Sequence, residues 1–170
     1  MPAPVQIMPI TLRSIRPDDE AFLFQVYAST RAEEMAVVAW DDEQKQAFLQ
    51  MQFNAQRLSY QQQFPQAEYQ VILRGDVAAG RLIVDRSDEG VLLIDIALLP
   101  EHRNAGIGSS LIRDLQAEAA QAEKPVRLHV ENFNPAFQLY ERLGFKKVGE
   151  SGFYWLMEWR AKDDSGGGEE

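Results

Sequence analysis

Between residues 103 and 110 the chain reads Arg103-Asn104-Ala105-Gly106-Ile107-Gly108-Ser109-Ser110. An apolar run, Val91 to Leu99, and a stop at Pro100 come before it, and a helical pattern opens at Gly106. A strand that passes through a glycine-rich turn into a helix leaves several backbone N–H groups without partners at one point. Those donors, together with the positive end of the helix dipole, suit a phosphate or pyrophosphate. Glycine at 106 and 108 lets the backbone close on an anion where a Cβ would obstruct it. A short glycine turn is a weak signal alone; the strand ahead of it and a second motif near the C-terminus strengthen it.

Other reactive side chains are few. Cysteine is absent, which removes disulfides, thiolate metal clusters and a covalent cysteine intermediate and is compatible with a reducing cytoplasm. His102 and His129 are the only imidazoles, so no metal site is expected. The net charge of −9 argues against a nucleic-acid partner, which needs a basic face. An anionic ligand must then be held by local backbone dipoles, while a cationic second substrate such as an amine is mildly favoured by the overall field. The same charge is also what ordinary solubility requires. No apolar run approaches the roughly 20 residues that cross a bilayer, and Met1-Pro2-Ala3-Pro4 lacks the basic-then-apolar order of a secretory signal. The expectation is a cytoplasmic protein with no membrane partner.

The elements that would position the glycine turn can be read along the 170 residues, whose 45% hydrophobic content fits one globular domain. Ile10 to Ile15 alternates as a strand. Pro17-Asp18-Asp19-Glu20 starts a helix with Phe22, Leu23 and Val26 as its apolar stripe. A connection through Ala36 to Trp40 leads to a second acidic helix start at Asp41-Asp42-Glu43. That helix is expected to reach about Gln63, with Phe48, Met51, Phe53, Ala55 and Leu58 as its apolar positions. Ala67–Leu73 and Gly80–Val84 read as a hairpin, and Val91–Leu99 as a strand buried on both faces. Ile107, Leu111, Ile112, Leu115 and Ala119 follow at helical spacing. After the strand Val126–Val130, Asn134 caps a helix that begins with Pro135 and ends at Gly144. Phe145–Val148 and Phe153–Trp159 close the chain as a hairpin, the second an exposed terminal strand that could pair between subunits. The domain should run from 10 to 160, with residues 1–9 as an extension and 161–170 as a disordered, acidic, glycine-rich tail.

Two motifs carry a resemblance. Leu98-Leu99-Pro100-Glu101-His102-Arg103-Asn104-Ala105-Gly106-Ile107-Gly108 resembles the Arg/Gln-x-x-Gly-x-Gly acetyl-CoA signature of the GNAT superfamily of N-acyltransferases. The segment from Leu128 to Phe145, with Asn134, Ala136, Leu139-Tyr140 and Gly144-Phe145, looks like that family's second motif. The resemblance implies an α/β (α+β) fold: a mixed, twisted sheet of six to seven strands, flanked by about four helices and splayed between the fourth and fifth strands. It implies acetyl-CoA as co-substrate, no metal, and an amine acceptor, small molecule or peptide, that attacks the thioester directly. The pantetheine arm would pair with Ile96, Ala97, Leu98 and Leu99. The pyrophosphate would lie on the amides of Arg103, Asn104, Ala105, Gly106, Ile107, Gly108 and Ser109, and Ser110 would also belong to the cofactor site. The Leu98 N–H would face the thioester oxygen and stabilise its developing charge.

Individual residues keep two readings each. Tyr140 stands where the family often uses a tyrosine as acid toward the departing thiolate, a task suited to a phenol of pKa ~10; alternatively it only packs beside Phe137. His129 could take the amine proton, with a pKa of ~6.5, or be a hydrogen-bonded residue on the less buried face. Asp95 is either a base acting through water or the partner of an arginine such as Arg81. Arg103 positions phosphate or is an ordinary surface arginine, and His102 reads as a surface residue. Asn104 occupies a place where relatives have glycine, tolerable because asparagine accepts left-handed dihedrals. Asn134 could contact the cofactor through water, but capping explains it. Glu33, Glu34, Trp40, Asp41, Met51, Phe53, Tyr60 and Tyr154 are candidates for an acceptor site. The alternatives to an enzyme are an acyl-CoA-binding sensor without turnover and, more remotely, a different phosphate-binding domain.

Overall fold

The computed structural model describes residues 8–161; all but the first residue of the proposed tail and all but the last two residues of the N-terminal extension lie outside them. The element order is β1 (Ile10–Ser14), a 3-10 turn (Pro17–Asp19), α1 (Glu20–Thr30), α2 (Ala32–Ala36), α3 (Asp42–Gln63), β2 (Glu68–Arg74), β3 (Val77–Ser87) and β4 (Gly90–Leu98). A second 3-10 turn (Pro100–His102), α4 (Ile107–Gln121), β5 (Val126–Glu131), α5 (Ala136–Arg142), β6 (Lys146–Ser151) and β7 (Tyr154–Trp159) follow. The seven strands are ordered β1-β2-β3-β4-β5-β7-β6. The sheet is mixed: β1–β2, β5–β7 and β6–β7 are antiparallel, whereas β4–β5 is parallel. The chain forms two compact units, one running up to Leu82 and including Ile96–Arg103, the other containing Ile83–Asp95 and everything from Asn104 onward.

In the first unit, Leu23, Tyr27, Leu49 and Phe53 make a core, with Phe24 set edge-on to Phe53 at 5.7 Å. Asp41 caps α3 by accepting the Gln44 N–H at 2.8 Å, and the Gln44 side chain accepts the Asp41 N–H in return; this is a reciprocal capping box. The entry to α1 is held by Asp19, which accepts both Arg13 Nη atoms at 2.8 Å and the Arg16 N–H at 2.7 Å. The Arg13 guanidinium above all holds the Asp19 carboxyl down at about 2. Its contribution to stability is therefore complete above the ordinary carboxylate range and fades as pH falls toward about 2.

Two expectations for this unit need correction. The connection before α3 contains a short helix, α2, which buries none of its residues and so left no apolar periodicity to read. In α3 the buried positions are Leu49 and Phe53, whereas Met51 and Leu58 are 60% and 56% exposed. Met51 lies two residues from both Leu49 and Phe53, about 200° around a helix that turns 100° per residue, and therefore on the far side.

One glycine of the unit is required by space. A Cβ built on Gly80 would lie 2.1 Å from the Ala97 oxygen and 3.0 Å from Leu98 Cα, both backbone atoms that cannot swing aside. Gly80→Ala should therefore cost about 3 kcal/mol or more. The check is the denaturant midpoint, and an unchanged midpoint would contradict the close approach.

In the second unit, Ile107, Leu111, Ile112, Leu115 and Ala119 of α4 are buried, as their spacing predicts. Gln116, also buried, donates its Nε2 hydrogen to the Leu143 carbonyl at 2.8 Å and so ties α4 to the end of α5. Gly144 ends α5 with φ +96°, and the buried Phe145 follows, its N–H bonded to the Tyr140 carbonyl at 3.0 Å; the left-handed residue satisfies carbonyls that the helix end would orphan.

β4 and β5 pair at only three positions, Val91↔Val126, Leu92↔Arg127 and Leu93↔Leu128, and then part, so the sheet is splayed there. β4 is not buried on both faces as its composition suggests: Val91 and Leu93 are buried, and the residues beside them are half-buried. Nor is Phe153–Trp159 a free terminal strand. β7 pairs with β5 on one side and β6 on the other, so both of its hydrogen-bonding edges are taken, and β6 forms the sheet edge.

Candidate functional site

The glycine turn is built by two left-handed residues. After the 3-10 turn, in which the His102 and Arg103 N–H groups bond to the Leu99 and Pro100 carbonyls, Asn104 adopts φ +61° and Gly106 φ +81°. Asparagine is among the few residues that accept this conformation, because its short amide side chain is locally tolerated. α4 begins at Ile107, and its first backward bond runs from the Ser110 N–H to the Gly106 carbonyl at 3.0 Å. Gly106 has no side chain to cap the helix, so the Ile107, Gly108 and Ser109 amides have no helical partner. A Cβ on Gly106 or on Gly108 would meet nothing within 4 Å. Unpaired donors, the dipole's positive end and open space thus coincide, and an anionic diphosphate fits this cradle.

Arg103 is employed differently from its sequence reading. Its Nε donates to the Leu98 carbonyl at 2.9 Å and its Nη2 to Ser29 Oγ at 3.2 Å, while Ser29 Oγ donates onward to the Val26 carbonyl at 2.7 Å. The guanidinium therefore fastens the end of β4 to α1, within one unit. Nearby, the Leu99 N–H donates to the Ala79 carbonyl at 2.8 Å, and Ile96, Ala97 and Leu98 are half-buried. His102 is half-buried, its Nδ1 3.5 Å from Arg74 Nη1.

In the second unit, strand alternation sorts the titratable candidates. Val91 and Leu93 face the same side as their partners Val126 and Leu128, and two further residues along β4 bring Asp95 to that side. His129 lies one residue past Leu128 and takes the opposite face. It is exposed, and with Leu92, Arg127, Asp85 and Leu156 it lines a shallow cavity of about 290 Å³. Asp95 and His129 therefore do not share a face.

Tyr140 is on the Asp95 side of this division. Burial, and then the negative charge of Asp95, push its phenol up to about 12. The ring stands edge-on to Phe145 at 6.0 Å and 63°. The helix carrying it begins at Ala136 with Pro135 at the N-cap, one residue later than expected, and Asn134 Oδ1 accepts the Ala136 N–H at 2.9 Å, a local structural role for Asn134.

Residues 65–147 match the family model described as an acetyltransferase (GNAT) domain. This stretch of the chain resembles the GNAT superfamily. Among curated protein sequences none matches it. Solved structures share its fold. PaiA N-acetyltransferase from Thermoplasma acidophilum, in complex with coenzyme A, is 19% identical with a TM-score of 0.67, covering 90% of this chain and 99% of its own. An acetyltransferase from Thermus thermophilus is 17% identical with a TM-score of 0.63, covering 91% and 97%. The ribosomal-protein-S18-alanine N-acetyltransferase from Escherichia coli is 18% identical with a TM-score of 0.60, covering 89% and 94%. Among the described residues no helix is long and apolar enough to cross a membrane.

The acceptor candidates mostly have structural employment. Phe53 is core, Asp41 caps α3, Glu34 pairs with Arg31, Trp40 stacks edge-on to Phe48, and Tyr60 lies 6.4 Å from Phe64. Glu33 and Met51 face solvent, as does Tyr154 on β7. What the motif reading missed is the Arg103 clamp. An arginine inside a phosphate-loop signature looks like a ligand contact, and nothing in the sequence marks Ser29, 74 residues away, as its partner.

Proposed function

We propose that the chain is an acetyl-CoA-dependent N-acetyltransferase that transfers the acetyl group directly to a primary amine of a small molecule or peptide. What supports the reading most is the turn at Asn104 and Gly106, which aims the uncapped amides of α4 into open space. The family match adds to it, as does the Thermoplasma acidophilum relative that holds coenzyme A. Bound acetyl-CoA would supply an activated thioester acyl group. On this reading the Ile107, Gly108 and Ser109 amides hold the diphosphate, while the Ser110 N–H is already spent on the Gly106 carbonyl. Tyr140 keeps a proton at Oη across the neutral range and delivers it to the thiolate as that leaves. Burial and then the charge of Asp95 keep that proton on the phenol, and Asp95, on the same face as Tyr140, relays the amine proton through water. His129 takes no part.

The test is thermal unfolding with acetyl-CoA. At 100 times the dissociation constant, ligand binding to the folded state should stabilise it by about 2.7 kcal/mol. No shift with either coenzyme A or acetyl-CoA would remove the cofactor assignment. A thiol-release assay over a panel of amines then separates enzyme from sensor, because binding without release for every acceptor would favour a non-catalytic acyl-CoA-binding role.

A further inference from the structure

The outer face of α3 carries a second apolar stripe that the fold itself does not use. Ala47, Met51, Asn54, Ala55 and Leu58 are all exposed, Met51 at 60% and Leu58 at 56%. Their spacing is the 3-4 alternation of a helix–helix seam: Ala47 to Met51, Met51 to Asn54, Asn54 to Leu58. From Gln46 to Gln63 the helix contains a single charged residue, Arg57, and its guanidinium is engaged by Glu20 at 2.9 Å. In a chain with 25% charged residues and a net charge of −9, this face bears no carboxylate beyond the first turn, where Asp42 and Glu43 stand. Depletion of charge at an otherwise exposed apolar face is the compositional signature of an interface core.

We propose that this face of α3 is the interface of a two-fold dimer in which the α3 helices of two copies of this chain pack antiparallel. Two arguments on charge and shape select a second copy. With a net charge of −9, two copies meet with less repulsion across an uncharged surface than across an acidic one, and this face is uncharged along most of a helix of 22 residues. The stripe is also self-complementary about a two-fold axis passing between residues 52 and 53. In that register Leu58 meets Ala47 of the partner subunit, and Met51 meets Asn54 of the partner subunit, so each large side chain faces a smaller one in both copies. The same register sets the acidic start, Asp42 and Glu43, against the neutral glutamines at 62 and 63. A parallel pairing would set acid against acid.

The full chain should sediment as a species of twice 19.3 kDa at micromolar concentration. Met51→Glu with Leu58→Glu should return it to the monomer mass while leaving its far-ultraviolet circular dichroism that of the folded chain, because neither residue is part of the core; the melting temperature should fall only by the stabilisation that association supplied. The absence of native cysteine permits a test of register. An equimolar mixture of Ala47→Cys and Leu58→Cys chains should cross-link on oxidation, and neither variant should do so alone. A monomer at 100 µM, a dimer that survives the double glutamate change, or efficient cross-linking of either single variant by itself would each overturn the proposal.

Discussion

Gly108→Asp is expected to leave the protein folded and to abolish its response to acetyl-CoA. A Cβ at this position meets nothing within 4 Å, and Gly108 lies in the first turn of α4 with no left-handed dihedral to strain a side chain. A carboxylate at a helix start is favourable by roughly 0.3–1 kcal/mol, so the ligand-free variant should melt no lower than the parent. The same carboxylate would stand where the diphosphate is proposed to bind. Two unit charges about 4 Å apart repel by roughly 4 kcal/mol at an effective dielectric constant near 20, so affinity should fall by more than about 100-fold. Isothermal titration with coenzyme A and melting with acetyl-CoA measure the two halves separately. A variant that keeps its ligand-induced shift would show that the amides of α4 do not hold the cofactor.

Tyr140→Phe should separate chemistry from binding. The phenyl ring retains the edge-on contact with Phe145, and the main-chain bond from the Phe145 N–H to the residue 140 carbonyl does not depend on the side chain. Stability and the KM for acetyl-CoA should change little, while kcat falls about 100-fold with the loss of a positioned acid. The pH dependence follows from the sign of the shift. Burial and the Asp95 charge both disfavour the phenolate and push Tyr140 up to about 12. The parent enzyme should therefore show no loss of rate from tyrosine ionisation between about pH 8 and 10, near the ordinary tyrosine value. Asp95→Asn removes one of the two causes and should move that ionisation downward. A kcat left intact in Tyr140→Phe, measured by thiol release, would reduce Tyr140 to a packing residue.

Much of the scaffold was legible in the residues, and the reasons differ by region. The α3 boundaries could be read because both ends carry strong local chemistry, an aspartate cap at 41 and Pro65 beyond Gln63. The buried stripe of α4 was legible from 3.6-residue periodicity alone. The inner face of α3 was not, because Met51 and Leu58 are apolar residues facing solvent, and counting hydrophobic positions merges two stripes that lie on opposite sides. β4 misled for a related reason: an apolar run interrupted only by Asp95 does not reveal that one of its faces opens on a cavity. The place of β7 between two strands depends on pairing between distant residues, such as Val126 with Trp159, which no local pattern encodes. At the candidate site, local geometry was the readable part. The left-handed turn followed from asparagine and glycine at 104 and 106, whereas the division of Asp95 and His129 between faces needed the β4–β5 register.

Asn104 holds φ +61° in a position where a glycine would adopt that angle without strain. A side chain there narrows the range of shapes available to the unfolded chain. On the proposed reading the turn ahead of α4 would have less freedom to surrender when an anion docks than a turn with glycine at both left-handed positions. Recognition would then carry a smaller entropic loss on association than a loop that must wrap its guest.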